Sequence, residues 1–77
     1  MDIKYCDSGS ILLINSSGVI KRLFCPFLVR SREGADLFKP GLLLRVEEVS
    51  SNPQDELLYL IFNKPYHHYL FEITATF

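Results

Sequence analysis

Apolar and polar positions alternate along this chain in short runs, and nearly every run ends in a cluster of turn-forming residues. Residues 1–10 set Ile3 and Tyr5 among polar neighbours at alternate positions, which predicts a short edge strand or an ordered arm closed by the turn Asp7-Ser8-Gly9-Ser10. Ile11 to Ile14 is a strand-like run with β-branched ends. Asn15-Ser16-Ser17-Gly18 follows, with a glycine free to take positive φ, and Val19 to Cys25 resumes the apolar pattern. Two such runs around a short glycine-containing turn predict a β-hairpin. Pro26 lacks an N–H for a ladder and marks an edge, a bulge or a break before Phe27-Leu28-Val29-Arg30 extends again.

Ser31 to Lys39 is a polar loop with Phe38 as its one large anchor, and Pro40-Gly41 is a turn. The alternation of Leu42 to Val49 slips at Glu47-Glu48, where a β-bulge would return both Val46 and Val49 to the core. After the loop Ser50 to Asp55, the run Leu57 to Phe62 allows two readings. As a strand it has Leu57, Tyr59 and Ile61 on one face and Leu58, Leu60 and Phe62 on the other. As a helix it would start at Asn52-Pro53, with Asn as N-cap, Pro in the first turn and acids at Asp55 and Glu56. Pro65 would limit that helix to about three turns, and its face would be apolar nearly all round, so the strand is preferred over residues 53–62. Tyr66 to Phe77 alternates loosely, with His67, Tyr69, Phe71 and Ile73 on one parity.

From Phe38 onward the pattern resembles a known kind of protein. Phe38-x-x-Gly41, Leu44-x-Val46-x-x-Val49, a polar loop, Leu58-Tyr59-Leu60-Ile61, a short turn and Tyr66-x-x-x-x-Phe71-Glu72-Ile73 are similar to small SH3-like barrel proteins of bacteria and phages. In those the glycine opens the second barrel strand and the last triplet closes the barrel. The resemblance covers residues 21–75. Leu stands where an aromatic usually follows the glycine, and the hairpin of residues 11–20 has no place in a minimal barrel. The resemblance implies an all-β fold: a small SH3-like barrel of five to seven strands with an added N-terminal β-hairpin. One domain spans residues 1–77, with residues 1–20 as arm and hairpin and residues 21–75 as barrel. It implies an interaction module more than a chemistry.

Composition sharpens that expectation. A chain of 77 residues has room for one modest core, yet 48% of it is hydrophobic, with six Phe and four Tyr, and only 22% is charged. Part of this apolar surface is expected to meet a partner. The expected function is therefore a non-catalytic protein-interaction module, self-associating as a homodimer or docking to a larger protein, with Tyr59, Phe62, Tyr66 and Tyr69 as the binding residues.

A net charge of −1 removes the usual electrostatic argument for nucleic acid. The alternative function is still a nucleic-acid-binding accessory protein that uses Lys21, Arg22, Arg30 and Arg32 beside stacking aromatics.

His67 and His68 are adjacent, so on a strand they point to opposite faces, and no C-x-x-C or H-x-x-x-H spacing accompanies them; no metal and no cofactor is expected. Cys25 could act as a nucleophile only if a base reached it, because the thiolate is the reactive form. The acids Glu47-Glu48 and Asp55-Glu56 are sequence neighbours rather than a pair facing across a cleft, and an enzyme is not expected. Met1-Asp2-Ile3-Lys4 reads unlike a signal peptide, and no apolar run approaches a membrane span. A cytoplasmic protein with two free thiols is the expectation.

Overall fold

A computed structural model of the chain describes residues 2–33 and 38–75. Within them the chain is all-β, with nine short strands and one turn of 3-10 helix. The strands are β1 (Asp2–Asp7), β2 (Ser10–Ile14), β3 (Ile20–Phe24), β4 (Phe27–Ser31), β5 (Leu43–Val46), β6 (Glu48–Ser51), β7 (Leu57–Ile61), β8 (Lys64–His67) and β9 (Phe71–Ile73). The 3-10 turn, His68–Leu70, links the last two. They form three antiparallel sheets of three strands, ordered β1-β2-β3, β5-β4-β9 and β6-β7-β8.

The expected hairpin forms, with β2 and β3 in unbroken register from Ser10↔Phe24 to Ile14↔Ile20. Asn15 builds its turn: Oδ1 accepts the N–H groups of Ser17 (3.0 Å) and Val19 (2.9 Å), and Gly18 takes φ +81°. The pairing carries the N-terminal sheet to Phe24, four residues past the expected division at residue 20. The break then falls at Cys25-Pro26, a cis peptide.

Nine strands replace the expected five to seven because two long stretches are divided. The first divides at Glu47. In one continuous strand Val46 and Val49, three apart, would face opposite sides. Glu47 instead donates its N–H to the Leu60 carbonyl (2.9 Å), so the chain leaves β4 and joins β7, and both valines enter the core. The second division is at His68–Leu70, where the 3-10 turn ends the alternation expected through Tyr66 to Phe77. Phe71 is buried and Tyr69, two residues earlier, is exposed. The final residues of that stretch, 76 and 77, lie outside the described residues, as does the middle of the Ser31 to Lys39 loop.

Residues 57–61 are strand, and the helix-start chemistry before them is spent on a turn. Asn52 Oδ1 accepts the N–H groups of Gln54 (3.1 Å) and Glu56 (2.9 Å), as an N-cap would. Asp55 then takes φ +60°, which turns the chain out of a helical path.

One core joins all three sheets: Ile11 and Leu13 from β2, Phe27 and Val29 from β4, Leu44, Val46 and Val49 from β5 and β6, Leu57, Tyr59 and Ile61 from β7, and Phe71 from β9. Tyr59 is its largest fully buried side chain and meets Phe27 edge-on with ring centroids 5.5 Å apart. The Val49 N–H ties the N-terminal sheet to the rest by donating to the Ser8 carbonyl (3.0 Å).

Candidate interaction surfaces

The four aromatics expected to bind a partner do not come together. Tyr59 is 0% exposed. Its parity on β7, shared with Leu57 and Ile61, is the inward one, so its assignment to a binding surface is corrected to core. Tyr66 is half-buried, its ring against Phe38 (5.3 Å) and Phe71 (6.2 Å), so it mainly packs on the edge of the core.

Phe62 and Tyr69 are at the surface, in different places. Phe62 is 72% exposed at the tip of the β7–β8 hairpin. It takes φ +52° and Asn63 takes +62°, the two positive values that a two-residue primed turn requires. Tyr69 is exposed in the 3-10 turn with its ring stacked on His67 (5.0 Å). It lines an open groove of about 520 Å³ together with Tyr5 of β1, His67 and His68.

The two histidines are bound to different things. His67 Nδ1 lies 3.6 Å from Glu56 Oε2, an ionic contact when the ring is protonated but too long for a hydrogen bond. His68 Nδ1 lies 3.3 Å from the Leu57 carbonyl oxygen. Among the described residues no group of three or more His, Cys, Asp or Glu side chains could hold a metal ion.

The cations proposed for nucleic acid also separate. Lys21 and Arg22 stand on β3 and Arg30 on the outward face of β4, in another sheet. Arg32 donates from Nε to the Phe71 carbonyl (3.1 Å). Arg30 and Arg32 border one shallow depression, shared with Glu33 and Glu72.

The surface that the sequence reading missed is the outer edge of β3. The strand pairs with β2 alone. Asn15 donates to the Val19 carbonyl at one end of the hairpin and Cys25 to the Gly9 carbonyl at the other. Bonded pairs in an antiparallel ladder recur every second residue, so Lys21 and Leu23 also turn their polar groups to β2. Ile20, Arg22 and Phe24 therefore point their N–H and C=O groups away from the sheet, and among the described residues nothing bonds them.

Their side chains share the outward face, where Ile20 and Phe24 are each 61% exposed. Between them Arg22 is held in place. Nη2 reaches Asp7 Oδ2 (2.8 Å), Nε donates to Ser10 Oγ (3.0 Å), and the guanidinium carbon lies 4.9 Å from the centre of the Phe24 ring. Asp7 also accepts the Ser10 hydroxyl and the Gly9 N–H, both at 2.9 Å, and these bonds together with Arg22 hold its carboxyl below the usual carboxylate range. The signal available in the sequence was the spacing Ile20-x-Arg22-x-Phe24, which puts two apolar residues and a cation on one face of a predicted strand.

Both cysteines are free thiols: Cys6 is exposed, and Cys25 is half-buried with its thiol pushed up by burial and then by Glu48, Asp7 and Glu47. Among the described residues no helix is long and apolar enough to cross a membrane. No known protein family, no curated protein and no solved structure matches this chain.

Proposed function

We propose that this chain is a non-catalytic protein-interaction module that binds through the open edge of β3. The observation that carries the reading is that edge itself: three consecutive outward backbone positions, Ile20, Arg22 and Phe24, flanked by two large exposed apolar side chains. An added strand would satisfy the backbone groups, and its side chains would cover Ile20 and Phe24. Nucleic acid is the competing ligand class, and the separation of Lys21 and Arg22 on β3 from Arg30 on β4 and Arg32 just past its end speaks against it.

The finer fold reading is an SH3-like barrel made by β4 to β9, with β1 to β3 as an added sheet. Three features support it. β5 and β6 are successive parts of one bent strand shared between two sheets, a 3-10 turn precedes the last strand, and β9 returns to pair with β4. A cytoplasmic setting accords with the two free thiols.

The test uses the tagged protein and its Phe24→Lys variant as baits in lysate of the source cell, with and without nuclease. The expected result is a protein that co-purifies at fixed ratio in both halves and is lost with the variant, whose unfolding midpoint is unchanged. Equal recovery by both baits sinks the reading. Material recovered only without nuclease transfers the proposal to nucleic acid.

A further inference from the structure

We infer that the strand received by β3 is β3 of a second copy, running antiparallel about a two-fold axis at Arg22, so that two three-stranded sheets become one of six strands. The inference rests on the reading of β3 as the binding edge and names its occupant.

The register follows from the ends of the strand. A two-fold axis at Lys21 would set Phe24 opposite Gly18, whose φ of +81° takes it out of the extended path. An axis at Leu23 would set Ile20 opposite Pro26, which has no N–H to give. An axis at Arg22 sets Ile20 opposite Phe24 in both directions, within β3 on both copies. Each chain then donates the N–H groups of Ile20, Arg22 and Phe24 and accepts on the same three carbonyls, so all the outward backbone groups of the edge are satisfied together.

The side chains fit the same register. On the outward face the exposed Ile20 of one copy meets the exposed Phe24 of the other, an aliphatic-aromatic cross-strand pair made twice. The two Arg22 residues meet at the axis, where like charges would oppose pairing. Each arrives already neutralised by its own Asp7 at 2.8 Å and drawn back over its own Phe24 ring. A charge that ordinarily protects an edge strand from its own kind is thereby cancelled within each copy.

Proline separates backbone from charge. Arg22→Pro removes the outward N–H at the axis and leaves the ladder to β2 intact, because that N–H does not face β2. Arg22→Ala removes the charge and keeps the N–H. Sedimentation equilibrium over a dilution series, with circular dichroism to verify the fold, compares these with the unchanged chain and with Phe24→Lys, which keeps the test open if the proline variant does not fold.

The expected result is a dimer for the unchanged chain and for Arg22→Ala. For folded Arg22→Pro, which loses one bond per copy, and for Phe24→Lys, which loses its cross-strand pair with Ile20 and sets a charge in its place, the dissociation constant should rise by about tenfold or more. A monomer at every concentration overturns self-pairing and leaves the edge to a foreign strand, so the broader reading survives. A dimer that persists unweakened in Phe24→Lys and in any folded Arg22→Pro places self-association on another surface and overturns self-pairing through β3, while the broader reading falls only if the two baits recover the same material.

Discussion

Replacing Tyr59 with phenylalanine should make this protein more stable. The hydroxyl oxygen of Tyr59 is buried and has no hydrogen-bond partner among the described residues. Burial also pushes its phenol far above the usual tyrosine range, because the charged form has nothing to solvate it. The ring itself is well placed, edge-on to Phe27 at 5.5 Å and tilted against Phe71 at 6.1 Å, and phenylalanine keeps those contacts.

A buried hydroxyl without a partner costs about 1–3 kcal/mol. Deleting it forfeits the few dispersion contacts of one oxygen, at about 0.1–0.2 kcal/mol each. The net gain should be about 1 kcal/mol, equivalent to a rise in Tm of about 4–8 °C for a domain of this size. Tyr59→Ala provides the scale in the other direction, with an expected loss of about 3–5 kcal/mol from the cavity it leaves. Urea unfolding followed by far-ultraviolet circular dichroism measures both, with an unchanged m-value as the check that only stability has moved. A Tyr59→Phe variant less stable than the parent by about 1 kcal/mol or more would refute the reasoning, since the hydroxyl would then have a partner. The same variant should associate like the parent, because Tyr59 reaches no surface.

Two further predictions concern exposed positions. Phe62 occupies the left-handed region with most of its ring in water, so it bears a backbone cost that packing does not return. Phe62→Asn, suited to that turn position, should stabilise the chain by about 0.5–1 kcal/mol in the same urea assay and leave association through β3 unchanged; lost association would relocate the binding surface to the hairpin tip. Asp7 has a folded value depressed by the Ser10 hydroxyl, then by the Gly9 N–H and Arg22, so its stabilisation is full above the ordinary value of 3.8 and is lost as pH falls through the lower, folded one. Thermal midpoints recorded from pH 6 down to about pH 2 should therefore fall less steeply in Asp7→Asn than in the parent.

Local chemistry was legible where it decides structure within a few residues. Asn15-Ser16-Ser17-Gly18 announced its hairpin, and the slip at Glu47-Glu48 announced that Val46 and Val49 needed a break between them to share the core. The parity of Leu57, Tyr59 and Ile61 was equally plain, but period two says which residues share a face and not which face turns inward. That choice depends on what packs above the strand, so parity alone leaves Tyr59 readable as a contact residue.

Asn52 leaves a helix open as the second reading for a related reason: the side-chain oxygen that caps a helix serves a tight turn equally well, and Asp55 at positive φ decides between them. The edge of β3 was the least legible feature. Whether a strand has one neighbour or two is a property of strand order, set by residues far away in the chain, and the run Ile20 to Phe24 reads alike in either case.

Amide hydrogen exchange along β3, followed by NMR in a dilute and a concentrated sample, tests the central claim most directly. The N–H groups of Lys21 and Leu23, turned to β2, should be protected in both samples. Those of Ile20, Arg22 and Phe24 should exchange fast when dilute and slow markedly when concentrated. If those three exchange as fast in the concentrated sample as in the dilute one, β3 is not the edge through which this protein associates.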